Sequence, residues 1–168
     1  MSVRPVTPAD VDVVVGLVRE LAAYERAEHE ALMTADQLHA ALFGDAPALF
    51  GHVAVADDGP AAGDVVGFAL WFLSFSTWRG THGVYLEDLY VSPAARGTGL
   101  GKALLRTLAE VCVQRGYARL EWSVLDWNEP SIAFYRAAGA VPMDGWSVFR
   151  LTDSPRDPAL TAFARQGI

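Results

Sequence analysis

The sequence predicts an α/β fold with a mixed sheet, and three observations carry that prediction. Apolar residues at helical spacing alternate along the chain with short β-branched and aromatic runs; turn-forming residues gather between them; and no repeat or low-complexity tract breaks the alternation. The longest linker-like stretch is the loop at Asp57 to Asp64. A chain of 168 residues has room for one hydrophobic core, so 1–168 reads as a single domain. A composition of 52% hydrophobic and 20% charged residues is that of a globular chain rather than a disordered one.

The elements follow in order. Val3 to Val6 reads as a short strand. Thr7-Pro8-Ala9-Asp10 supplies an N-cap, a proline at the first helical position and an acid at the third, and Val11, Val14, Val18 and Leu21 continue at helical spacing to about Tyr24. Thr34-Ala35-Asp36-Gln37 repeats that cap for a shorter helix through Leu38, Leu42 and Phe43, so Glu25 to Met33 is the polar loop between two helices. Strands are expected at Phe50 to Ala56 and Val65 to Phe75, joined through Asp57-Asp58-Gly59-Pro60, and again at Val84 to Val91. After a glycine-rich loop, Leu100, Leu104, Leu105, Leu108, Val111 and Cys112 share one face of a helix that stops near Gly116. Leu120 to Val124 is the next strand, Pro130 to Ala138 a short helix closed by Gly139, and Trp146 to Leu151 a last strand.

Charge and composition exclude several functions. The chain carries 13 basic against 20 acidic residues, a formal charge of −7, whereas a phosphate backbone is bound by a basic surface. This argues against nucleic acid as a partner. An acidic surface instead attracts a cationic small molecule, although acidity of this size also serves solubility alone. The longest apolar run, Val65 to Phe75, has 11 residues, against the roughly 20 that cross a bilayer. No membrane association is expected. Arg4, Asp10 and Asp12 interrupt the start before a signal-peptide core could form, and a lone cysteine, Cys112, makes no intrachain disulfide. Together these features favour the reducing cytoplasm.

The chemistry concentrates in three segments. In Arg96-Gly97-Thr98-Gly99-Leu100-Gly101, three glycines between a strand and an amphipathic helix leave main-chain N–H groups uncovered at a helix N-terminus, as in a phosphate cradle. The loop is neither a Walker A sequence nor a GxGxxG fingerprint, and a plain tight turn would also use such glycines. In Tyr85-Leu86-Glu87-Asp88-Leu89-Tyr90-Val91, two adjacent acids interrupt an apolar strand. Burying them is costly unless each has a partner, water or a chemical task, and a period of two places them on opposite faces. A buried ion pair with arginine is the structural alternative. The third segment is Asp126-Trp127-Asn128-Glu129-Pro130-Ser131, leading to Phe134-Tyr135 on a short helix.

These three segments, in this order, resemble the GNAT superfamily of acetyl-CoA-dependent N-acetyltransferases, whose RxxGxG form RGTGLG matches. YLEDLYV, VLDWNEPSIAFY and the N-terminal ELAAYE narrow the resemblance to the diamine (spermidine/spermine) N-acetyltransferases and the related thialysine N-epsilon-acetyltransferases, over about Val3 to Leu151. FSTWRG and VLDWN look more like the thialysine branch, because Ser76 and Thr77 precede Trp78 where the polyamine enzymes carry an acid. The resemblance implies a single N-acetyltransferase domain with a mixed, mostly antiparallel sheet, acetyl-CoA as co-substrate, and a homodimer. It assigns the main chain of Leu89, Tyr90 and Val91 to the pantetheine arm, and Arg96, Gly97, Thr98, Gly99, Leu100, Gly101 and Lys102 to the pyrophosphate. Asn128, Glu129, Pro130 and Ser131 would line the same cofactor site. Tyr135 matches the proton donor to the coenzyme A sulfur, and Tyr24, Glu25, Trp78, Glu87, Trp122 and Asp144 match positions around the acceptor amine.

The reaction itself sets demands on the residues. An alkylammonium with a pKa near 10.4 is neutral in about one molecule in 10^3.4 at pH 7, a cost of roughly 4.6 kcal/mol before it can attack a thioester. Glu87, directly or through water, is the candidate to take that proton, and burial would raise its pKa to a useful value. A main-chain N–H at the strand end would stabilise the oxyanion, and Tyr135 would protonate the leaving thiolate. No metal is implied, since His29, His39, His52 and His82 stand singly. The expected acceptor is thialysine or a similar basic amino acid, with polyamines as the alternative. A non-catalytic acyl-CoA-binding module is the reading from another class, against which Glu87 and Tyr135 argue, because pyrophosphate binding needs neither.

Overall fold

A computed structural model describes residues 2–153 and 158–165. Contacts divide the chain into two compact units, Met1–Asn128 and Glu129–Ile168. The first holds β1 (Ser2–Pro5), α1 (Val11–Tyr24), α2 (Ala35–Phe43), β2 (Phe50–Val55), β3 (Val65–Ser76), β4 (Thr81–Val91), α3 (Leu100–Arg115) and β5 (Leu120–Trp122). The five strands form one sheet in the order β1-β2-β3-β4-β5; the first three pairings are antiparallel and β4 with β5 is parallel. A parallel neighbour needs a long crossover, and α3 provides it.

The caps form as their residue types dictate. Thr34 Oγ1 accepts from Gln37 N–H at 3.2 Å and Gln37 Oε1 accepts from Thr34 N–H at 3.0 Å, closing both ends of a capping box. Pro8–Asp10 is a 3₁₀ turn ahead of α1. Asp10, buried at 6% exposure, accepts from Thr7 N–H and Oγ1 and takes two bonds from Arg4 at 2.7 and 2.8 Å. The Arg4 guanidinium holds the Asp10 carboxyl well below the usual carboxylate range. That pair fastens β1 to the start of α1.

The core on one sheet face joins Val11, Val14, Val15 and Leu17 of α1 and Leu38 and Leu42 of α2 to Val53, Phe68, Leu70 and Tyr90. This cluster takes no residue of α3, whose buried Leu100, Leu104, Leu105, Leu108 and Cys112 pack against β1 to β4 from the other face. Cys112 is a core residue there, its thiol donating to Arg119 O at 3.5 Å.

The second unit contains α4 (Glu129–Ala137) and α5 (Ala159–Ala164). Gly139 follows α4 at φ 89°, the left-handed stop its position predicts. Three expectations are corrected. Trp146 to Leu151 is not a strand; alternation nominates a strand, but pairing makes one, and these residues join no ladder. β4 begins at Thr81 rather than Val84, because its hairpin with β3 zips to Ser76↔Thr81, and β5 stops at Trp122 rather than Val124. The helix α5 had no signal strong enough to be named from sequence.

Candidate active site

The site begins where β4 loses a neighbour. β5 pairs with β4 only at Val84↔Leu120, Tyr85↔Glu121 and Leu86↔Trp122. On the other side Trp71 faces Leu86 while Leu70 faces Asp88, so Glu87 is an extra residue, a β-bulge. The bulge re-aims β4, and from Asp88 to Val91 the edge opposite β3 has no strand beside it among the described residues. Ser92 N–H donates to Val66 O at 2.9 Å, which makes 66/92 a hydrogen-bonded pair and, by antiparallel alternation, 68/90 another. The main chain of Tyr90 is therefore engaged with β3. Leu89 and Val91 turn theirs to the open edge, where an elongated amide-bearing ligand could pair with them.

That edge leads into the glycine loop. Pro93–Ala95 forms a 3₁₀ turn and Arg96 is extended. Gly97 then takes φ 80° and Gly99 φ 87°, a left-handed conformation that favours glycine, before α3 starts at Leu100. A Cβ at Gly97 would project into open space, so the loop surface here is bare main chain. Buried Leu100 anchors the helix start, no acid lies in its first turn, and exposed Lys102 adds a positive charge. Bare N–H groups, the positive end of a 16-residue helix and a lysine fit a pyrophosphate.

The third part is a face of aromatic rings and charges where the end of α1 meets β4. Arg96 Nε donates to Val91 O at 3.0 Å, and its guanidinium lies 5.0 Å from the Tyr24 ring and 5.4 Å from the Tyr90 ring. Tyr24 OH donates to Oδ1 of buried Asn128 at 3.1 Å, and the Tyr24 ring tilts against Trp127 at 6.2 Å. Arg26, left-handed at φ 61°, ends α1 and covers Trp127 at 5.6 Å. Tyr90 OH donates to Glu20 Oε2 at 3.2 Å.

The acids around this face differ from the sequence expectation. Glu87 is exposed at the bulge, not buried. The carboxyl that burial raises is its half-buried neighbour Asp88, pushed up to about 6 by desolvation, with the charges of Glu87 and Glu25 adding to it. Desolvation also raises the pKa of Glu25. Asp88 follows the bulge, and the same cross-strand pairing that seats Leu70 in the α1 core sets Asp88 on the α1 side. Sequence singled out both acids but named only Glu87 for the site.

Other predicted positions lie as follows. Trp122 ends β5, half-buried beside Leu86. Trp78 is 89% exposed in the turn between β3 and β4. Ser76, one of the two neutral residues before Trp78, is buried and committed to that turn: its Oγ and C=O both accept from Arg79 N–H, at 3.3 and 3.2 Å. In the second unit, Glu129, Pro130, Ser131 and Tyr135 belong to α4, with Tyr135 half-buried against Phe134, and Asp144 is exposed in a turn. No group of three or more His, Cys, Asp or Glu suited to a metal ion occurs among the described residues.

An open strand edge running into a bare cradle at a helix N-terminus is an arrangement for a long phosphorylated ligand, and residues 15–140 match the acetyltransferase (GNAT) family. The chain belongs to the GNAT acetyltransferase family. It is 37% identical over 158 residues to bovine thialysine N-epsilon-acetyltransferase (Bos taurus), covering 89% of this chain and 91% of that one. It is 31% identical over 154 residues to the Homo sapiens spermidine/spermine N(1)-acetyltransferase-like protein 1, covering 89% of this chain and 22% of that protein. An integron cassette protein from the V. cholerae mobile metagenome shares the fold, at 24% identity and a TM-score of 0.78 over 98% of each chain. This GNAT chain is an N-acetyltransferase, with the acetyl-CoA donor and amine acceptor that the family and its relatives imply. No helix among the described residues is long and apolar enough to cross a membrane.

Proposed function

We propose that residues 1–168 act as one N-acetyltransferase domain, cytoplasmic and homodimeric, that transfers acetyl from acetyl-CoA to the distal amine of thialysine or a similar basic amino acid. The observation that carries the reading is the β4 edge opened by the Glu87 bulge and continued by the Gly97–Gly99 cradle. Leu89 and Val91 hold the pantetheine arm by main-chain bonds, and Gly97 to Lys102 hold the pyrophosphate, with Asn128 to Ser131 along the same ligand. Tyr24, Glu25, Trp78, Glu87, Trp122 and Asp144 receive the acceptor.

Glu87 sits at the bulge, where it takes the proton of the ammonium directly or through water. Asp88 adds negative charge that favours the cation on arrival. The N–H of Leu89, directed to the open edge, donates to the oxyanion as the amine attacks the thioester carbonyl. Tyr135, assigned on the resemblance to the family, returns a proton to the departing thiolate. Similarity to thialysine N-epsilon-acetyltransferases over most of both chains supports the amino-acid acceptor over a polyamine. So does the neutral Ser76-Thr77 pair before Trp78, because an acid there would repel the acceptor's carboxylate by about 1–4 kcal/mol at 4 Å.

Initial rates with acetyl-CoA across thialysine, lysine, ornithine, spermidine and spermine, at one ionic strength, test this. The expected result is the highest kcat/KM for thialysine or another basic amino acid. Preference for spermidine would overturn the acceptor assignment, and binding of acetyl-CoA without turnover of any amine would favour the non-catalytic module.

A further inference from the structure

Arginine in a phosphate-binding loop is ordinarily read as a ligand of the anion. The side chain of Arg96 does something else: it folds back from the cradle, gives Nε–H to Val91 O at 3.0 Å, and lays its guanidinium against Tyr24 at 5.0 Å and Tyr90 at 5.4 Å. It makes no ion pair among the described residues. Its two rings are fixed in turn. Tyr90 is buried and bonded to Glu20 of α1, and Tyr24 is bonded to Asn128 and packed on Trp127, whose ring Arg26 covers. One guanidinium thus joins three parts of the site: the loop that carries it, the final carbonyl of the β4 edge, and the last turn of α1. The residue after Tyr24 is Glu25, in the set proposed to receive the acceptor.

We infer that Arg96 is a positioning residue that couples the cofactor cradle to the acceptor wall, so that acetyl-CoA binding and acceptor binding reinforce each other. The inference rests on the acetyltransferase reading above. Its physical basis is that loop and helix end share one cation: a ligand that orders Gly97 to Lys102 also fixes the backbone of Arg96, hence its guanidinium, hence Tyr24 and the start of the Glu25 loop. Such coupling is reciprocal, each ligand raising the affinity of the other by one factor. Lysine cannot replace this arginine, because it lacks the planar group that packs on two rings while donating in its own plane.

The test compares unmodified protein with Arg96→Lys and with Arg96→Met, each first shown to be folded by circular dichroism and its melting temperature. Calorimetry gives the Kd of coenzyme A alone, and of thialysine with and without saturating coenzyme A. For the unmodified protein, coenzyme A is expected to tighten thialysine binding at least five-fold. In Arg96→Lys the factor falls towards one while coenzyme A alone binds within about three-fold of normal, and the KM for thialysine rises about ten-fold with acetyl-CoA KM little changed. Loss of coenzyme A affinity by thirty-fold or more with the coupling factor intact would make Arg96 an anion ligand and overturn the inference. Unchanged coupling in both variants would do the same. A mere packing role would lower the melting temperature and leave the coupling factor in place, which also overturns it. Absence of acetyl transfer by the unmodified protein sinks the parent reading instead, and is seen in a separate assay.

Discussion

Asp88→Asn should stabilise the protein at neutral pH while removing a charge the site uses. Asp88 has its pKa raised from 3.8 to about 6. The folded state therefore holds this proton more tightly than the unfolded chain does. Protonated Asp88 brings no charge for the fold to desolvate; as pH rises from about 4 to about 6 the folded state must ionise a carboxyl that burial, Glu87 and Glu25 all disfavour, and stability falls across that window. A rise of about two pH units in pKa corresponds to about 3 kcal/mol, and solvent at this half-buried position discounts that to about 1–3 kcal/mol. Asparagine has nothing to ionise. At pH 8 the variant should melt several degrees higher, since each kcal/mol is worth about 2–4 °C in a protein of this size. The gain should shrink as pH drops from 7 towards 4. Calorimetric melts of both proteins at half-unit pH steps measure it. A variant less stable than the parent at pH 8, or a difference constant with pH, would refute the argument that desolvation sets this group.

Three other outcomes follow from the geometry. Gly99→Val forces a β-branched residue into φ 87° at the start of α3, so acetyl-CoA affinity should fall at least 30-fold by calorimetry while the fold persists; undiminished affinity would remove the cradle. Asp10→Ala strips Arg4 and the Thr7 N–H of their shared acceptor and should cost about 2–4 kcal/mol in urea denaturation, a loss of under 0.5 kcal/mol showing that the pair does not fasten β1 to α1. His52 Nδ1 accepts from the Trp71 indole at 3.2 Å and burial lowers its pKa, so the neutral ring stabilises the fold above about pH 6.5 and that contribution is lost as pH falls below it. His52→Gln should flatten the decline in melting temperature between pH 7 and 5; an identical slope in both proteins would assign the decline to other groups.

Within the sequence lay everything that depends on neighbours a few residues away. Thr34…Gln37 marks a helix start because each side chain bonds the other's main-chain N–H, Thr7-Pro8-Ala9-Asp10 because Asp10 takes the Thr7 N–H while proline presets the helical φ, and Gly97, Gly99 and Gly116 mark left-handed positions because only the local backbone decides them. The cradle was legible for that reason. Relations set by pairing were not. That Glu87 is the extra residue against β3 follows from the register of Leu70 and Trp71, and strict alternation along Tyr85–Val91 cannot register an inserted residue. The bulge decides that Asp88, not Glu87, loses its water, and so which carboxyl is raised. Arg96 belonged to an anion motif by sequence, yet a long side chain goes where partners await it, and Tyr24 and Tyr90 come from elements 72 and 6 positions away. The turn after β3 occupies the Ser76 hydroxyl, and Trp146 to Leu151, expected as a strand, has no strand to pair with. Sequence fixes conformations whose energy is local; the tertiary structure alone decides which side chains share a space, because solvent exclusion and strand pairing are made between residues the chain keeps far apart.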